Sequence, residues 1–165
     1  MSQRQTFIDA LTAEVGYVEG PKENETKFGA FTKVNFQPWC GSYIMWGAAQ
    51  ANLKIPNCVS TVAGAAAFKK ANKWEEVGYH PKVGELVFFD FPNDGVDRIS
   101  HIGAIKKVRS DGLMEVLEGN TTADGKTGSQ RNGGEACIKL RAWKPDNPKK
   151  MPVFVVGYGI PDFKD

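Results

Sequence analysis

Apolar residues recur at two spacings along this chain, and the change from one to the other divides it. In the first part the spacing is three or four. Phe7, Ile8, Leu11 and Val15 make a helical stripe that Thr6 can cap and Gly16 can end. From Gly20 to Gln37 the chain turns polar and glycine-rich, which predicts a surface loop with aromatic anchors at Phe28, Phe31 and Phe36. Pro38 then fixes its own φ and disfavours helix before it, so the next helix starts at or after Pro38. Cys40, Ile44, Gly47, Ala48 and Ala51 follow at helical spacing with Tyr43 and Trp46 beside them, predicting a helix to about Asn52 that is buried on most of its circumference. Val59 to Asn72 predicts another, whose small residues from Ala63 to Ala67 suit close packing. Trp74 to Lys82 reads as a connector.

Beyond Gly84 the period becomes two. Glu85 to Phe91, Ile99 to Ile105, Leu113 to Glu118, Ala136 to Leu140 and Val153 to Tyr158 read as strands. Asn93-Asp94-Gly95 and the run from Lys107 to Gly112 signal turns, and connections this short imply an antiparallel meander. Thr121 to Glu135 is a polar, glycine-rich loop, and Lys144 to Lys150 is too short for a linker between domains. The expected fold class is therefore α+β: N-terminal helices packed on an antiparallel sheet of about five to six strands, in one domain.

Composition narrows the function classes. At 165 residues the chain is long enough to bury a core without staples. A net charge of +2, from 21 basic and 19 acidic residues scattered along the chain, makes no case for nucleic acid. No run approaches the roughly 18 apolar residues of a membrane helix, and Met1-Ser2-Gln3-Arg4-Gln5-Thr6 lacks the apolar core of a signal peptide, so a soluble product is expected, without a signal of its own or membrane insertion. Cys40, Cys58 and Cys137 are too widely spaced for a zinc finger, and reducing cytosol would keep Cys58 and Cys137 as thiols rather than a bridge. Glu19, Glu23, Asn24 and Glu25 offer oxygens but lack the spacing of an EF-hand calcium loop, and read as a solvated loop.

The chemistry centres on Cys40. In the first turn of its helix it meets unpaired backbone N–H groups and the positive end of the helix dipole, the placement a cysteine nucleophile requires. Of the two histidines, His80 precedes Pro81 in a connector and is expected at the surface. His101 lies inside an apolar strand with Gly103 leaving space beside the imidazole, and a buried ring needs a partner for each nitrogen. Strand alternation puts Met114, Val116, Glu118 and Asn120 on one face of the next strand, so Glu118 and Asn120 can meet the same neighbour.

In order, Trp39-Cys40 opening a helix, Gly84-Glu85-Leu86-Val87-Phe88-Phe89, Ser100-His101-Ile102-Gly103 and Leu117-Glu118-Gly119-Asn120-Thr121 resemble the CHAP family of cysteine, histidine-dependent amidohydrolases and peptidases, which cut peptidoglycan and abound in phage endolysins and bacterial autolysins. The resemblance runs from about Gly16 to Tyr158 within a single catalytic domain covering residues 1–165, and implies a papain-like, NlpC-like fold. It implies Cys40 as nucleophile, His101 as general base, and Glu118 and Asn120 as the residues that orient the imidazole, with either one in contact with the ring. Gln37 resembles a glutamine that helps bind the oxyanion, and Trp39 joins it at the substrate side. Calcium-binding members carry closely spaced aspartates ahead of the cysteine. This chain has none there, so neither metal nor cofactor is expected. The implied activity is endolysin-like: a monomer, made in the host cytoplasm, that cleaves either the muramoyl-L-alanine amide or a peptide bond of stem or cross-link. A cysteine amidase or acyltransferase on a small cytosolic substrate, and an inactive wall-binding module, are the alternatives.

Overall fold

The structure is a computed structural model that describes every residue except Asn93 and Asp97. Among the described residues four helices come first: α1 (Gln3–Ala13), α2 (Lys27–Thr32), α3 (Cys40–Gln50) and α4 (Thr61–Lys70). Six strands follow: β1 (Trp74–Glu76), β2 (Leu86–Phe89), β3 (His101–Val108), β4 (Leu113–Thr121), β5 (Glu135–Ala142) and β6 (Val155–Gly159). All pair antiparallel in one sheet of order β1-β6-β2-β3-β4-β5. The α+β expectation holds, and β2 to β5 form the meander. β6 departs from it, returning to pair with the free side of β2.

Three boundaries differ from the sequence reading. α1 begins at Gln3 because Ser2 caps it, its Oγ accepting from Gln5 N–H at 3.0 Å, while the Thr6 hydroxyl donates back to the Ser2 carbonyl. Val15 falls beyond the helix and is exposed. α2 lies in what reads as loop: Thr26 caps it through Gly29 N–H at 2.8 Å, and Lys33 ends it in the left-handed region at φ 62°. Of the three anchors only Phe28 is buried: Phe31 lies on the exposed side of α2, and Phe36 lies beyond the helix and is exposed too. Trp74 to Glu76, read as connector, is a strand because β6 offers it an edge. The turn expected at Asn93-Asp94-Gly95 includes Asn93, which lies outside the described residues.

The sheet is buried on both faces. Leu86 and Phe88 of β2, Ile102 of β3 and Leu117 of β4 meet the helices through Phe7, Leu11, Phe28, Tyr43 and Ile44. Val87 and Phe89 point the other way, to Met114, Val116, Val155 and Tyr158. This is why β2 reads as a continuous apolar run rather than an alternating one. Tyr43 Oη donates to the Leu11 carbonyl at 2.7 Å, pinning α3 to α1, and α3 packs over β3 and β4. The sheet thereby fixes where the first residue of α3 lies relative to the first residue of β3.

Candidate active site

Those two residues are Cys40 and His101. Cys40 opens α3 and is 4% exposed, whereas His101 opens β3 and is fully buried. Cys40 lies close enough to His101 for a thiol–imidazole interaction that helps raise the ring's pKa. On the other side, His101 Nε2 donates to Glu118 Oε1 at 2.8 Å. An ionised carboxylate only accepts, so Nε2 carries a proton and Nδ1 is left for the sulfur side. Nδ1 has no hydrogen-bond partner.

Glu118 sits where alternation along β4 places it, on the same face as Met114 and Val116, and close to β3 because Gly103 has no side chain. A Cβ at Gly103 would lie 2.4 Å from Val116 Cγ1 and 2.9 Å from Glu118 Cγ. Asn120 does not share that face. The β4–β5 register shifts between Glu118 and Thr121, and Asn120 adopts φ 57°, so the alternation fails two residues too early for it. Its amide turns to the 121–134 loop, donating to Asn132 Oδ1 at 3.1 Å and accepting from Gly134 N–H at 3.1 Å. Thr121 and Thr122 bond the carbonyls of Gln130 and Ser129 at 2.9 and 2.8 Å. Of the pair expected at the imidazole, Glu118 reaches it and Asn120 braces a loop instead.

Sequence reasoning missed Arg141. From β5 it grips Glu118 with two bonds, Nε to Oε2 at 2.8 Å and Nη2 to Oε1 at 2.6 Å. Its guanidinium lies over Phe89 at 5.1 Å and Phe91 at 4.8 Å. The available signal was a basic residue continuing the β5 pattern one step past Leu140. Burial alone would raise the Glu118 pKa, but the Arg141 charge and hydrogen bonds, then His101, overcome it and hold the carboxyl down at about 2. For His101, burial pulls downward, and Glu118 and then Cys40 more than offset it, so the imidazole is pushed up to about 9.

Cys40 opens onto a groove of about 570 Å³, lined also by Gln37, Val59, Ser100, Arg98 and Arg131. Gln37 is therefore on the groove side. Trp39 is not. As the residue before α3 it turns inward, fully buried and stacked on Phe28 at 5.6 Å, with Nε1–H donating to Glu19 Oε1 at 3.0 Å. Its expected place at the substrate is thus corrected to the core. Asp94 ties the groove's rim together, accepting from Ser100 Oγ at 2.8 Å and pairing with Arg131 at 3.3 Å. His80 is exposed and lies over Trp143 at 4.6 Å, in no contact with this site. Cys58 and Cys137 are free buried thiols, pushed up by burial to about 12 and 11. In the acidic loop, Glu19 Oε2 accepts from Asn24 N–H at 2.6 Å and Glu25 from Lys22 N–H at 3.1 Å. Among the described residues no three acidic, His or Cys side chains gather as a metal-ligand set.

A family model for the CHAP domain matches residues 32–120, more than half of the chain. This chain belongs to the CHAP domain family. Members of that family are cysteine peptidases and amidases that act on peptidoglycan. The matched range contains Cys40, His101, Glu118 and Asn120, and ends short of Arg141. Among solved structures this CHAP domain is similar to a protein described as similar to lipoprotein, of the NLP/P60 family, from Staphylococcus aureus, at 11% identity and a TM-score of 0.49. The similarity covers 96% of this chain and 41% of that one. No curated protein matches the sequence.

Proposed function

We propose that this CHAP domain hydrolyses an amide bond of bacterial peptidoglycan, with Cys40 as nucleophile and His101 as acid and base. The observation that carries the reading is a buried imidazole held by Glu118 at one nitrogen, with Cys40 at the mouth of a groove beside the other. A cysteine, a base and a group orienting that base are the parts that nucleophilic acyl transfer needs.

The chemistry follows. Cys40 passes its proton to His101 and its sulfur adds to the amide carbonyl. The Cys40 N–H, one of the first-turn amides that a helix leaves unpaired, and the Gln37 side chain hold the oxyanion, both residues lining the groove. The imidazolium protonates the departing amine, leaving a thioester on Cys40. His101 then takes a proton from water, whose oxygen releases the acyl group. Glu118 keeps the ring's orientation throughout. Asn120 shapes the groove through the loop that carries Arg131. We read the enzyme as endolysin-like, working on the wall as a monomer without a cofactor.

Digestion of purified sacculi tests this, with fragments identified by mass spectrometry. The wild-type domain should release soluble fragments, and Cys40→Ala should release none while keeping the circular dichroism of the fold. Fragments that separate muramic acid from L-alanine mark an amidase, and new peptide amino termini an endopeptidase. Digestion retained by Cys40→Ala, or no digestion of any wall by the wild type, overturns the proposal.

A further inference from the structure

We infer that Arg141 is a positioning residue for the reaction: its forked, stacked grip on Glu118 fixes the carboxylate that aims His101 and keeps it from taking the ring's proton. The inference rests on the reading of Cys40 and His101 as the reacting pair. A carboxylate and an imidazole shut together away from water have two arrangements close in energy, an ion pair and a neutral pair, because burial penalises both charges. Something must decide between them. Arg141 does, because a second cation on the same carboxylate favours its ionised form, and guanidinium cannot give up a proton to restore neutrality.

The geometry goes beyond mere charge. Both carboxylate oxygens are engaged, and Oε1 accepts from Arg141 and His101 together. The plane of the guanidinium is set by the rings of Phe89 and Phe91, and Nη1 donates to Gln130 Oε1 at 3.2 Å. With only 7% of its side chain exposed, Arg141 has little freedom to leave. Phe91 and Phe89 also flank His101, at 5.7 and 6.1 Å, so one pair of rings sets both cations around the carboxylate. Other ionisable groups nearby are accounted for. On β5, Lys139 is paired with Asp124 at 2.9 Å, and Cys137 stays a thiol through burial. From α3, Tyr43 keeps its proton, and Cys40 is the reacting group itself. That leaves Arg141 as the cation bonded to Glu118 from outside the reacting pair.

Two variants test it, Arg141→Met and Arg141→Lys, with readouts that need no wall substrate. One is the imidazole titration of His101 by NMR. The other is alkylation of Cys40 by iodoacetamide against pH, followed on its own peptide by mass spectrometry. In Arg141→Met the imidazole midpoint should fall by about one pH unit or more, and the alkylation profile should move with it. Wall digestion should fall about a hundredfold, the cost of a misplaced reacting group. Arg141→Lys keeps the charge without the fork and should lie between the two. If Arg141→Met does not fold, Arg141→Lys decides alone: a midpoint and alkylation profile identical to wild type overturn the inference, as they do in a folded Arg141→Met. Failure of the hydrolase reading would show separately, as Cys40→Ala retaining digestion, whereas both shifts here are independent of what the enzyme cuts.

Discussion

Replacing Glu118 by Gln removes one charge and little volume, so what it costs is set almost wholly by electrostatics. Glu118 is held from 4.5 down to about 2, and its contribution to stability is present above pH 4.5 and fades as pH falls toward 2. His101 is raised from 6.5 to about 9, so its contribution is complete below pH 6.5 and is lost as pH rises through 9. Each displacement corresponds to about 3 kcal/mol. The two share the Glu118–His101 bond and so do not add. Breaking a buried pair by removing one partner typically costs about 3–5 kcal/mol, in agreement, because Arg141 is left charged and unpaired. Glu118→Gln should therefore lose about 3 kcal/mol between pH 4.5 and 6.5, or roughly 6–12 °C of melting temperature for a chain of this length. Urea unfolding of both proteins across pH 3 to 10 measures the difference, which should be widest in that window and narrow on both sides of it. A difference under about 1 kcal/mol, or one that ignores pH, would refute the account of the buried network.

Gly103→Ala should destabilise by about 1–3 kcal/mol and depress wall digestion further than its stability explains, since the new methyl presses on Glu118 Cγ; unfolding and digestion rates measured together separate the two effects. Asn120→Ala should raise KM about tenfold and leave kcat within about threefold, because the groove wall loosens while the ring keeps Glu118; an equally large loss in kcat would return Asn120 to the imidazole. Trp39→Phe should cost about 1 kcal/mol through the lost bond to Glu19 and leave digestion within about twofold. A KM effect larger than that would put Trp39 back at the substrate.

Periodicity determined a good deal of this protein. The apolar spacing around Cys40 and Val59 placed α3 and α4 within two residues of where they lie, and apolar runs between turn signals found five of the six strands. It also put Cys40 at a helix start, His101 in a strand with room at Gly103, and Glu118 on the face toward it. These are local facts, because side-chain direction within one element follows from its own repeat.

What the tertiary structure decided depends on two elements at once. Asn120 lost the imidazole to a register shift against β5 that β4 alone does not encode, and Trp39 turned inward because Phe28 and Glu19 await it there. The strand at Trp74 exists because β6 comes back to pair with it. Arg141 is the clearest case: nothing near it in sequence asks for a cation, and its purpose appears only when β5 is laid against β4 and Glu118 comes within reach of its fork. A residue's own repeat fixes which way it points, but the charge it must answer is brought there by another strand.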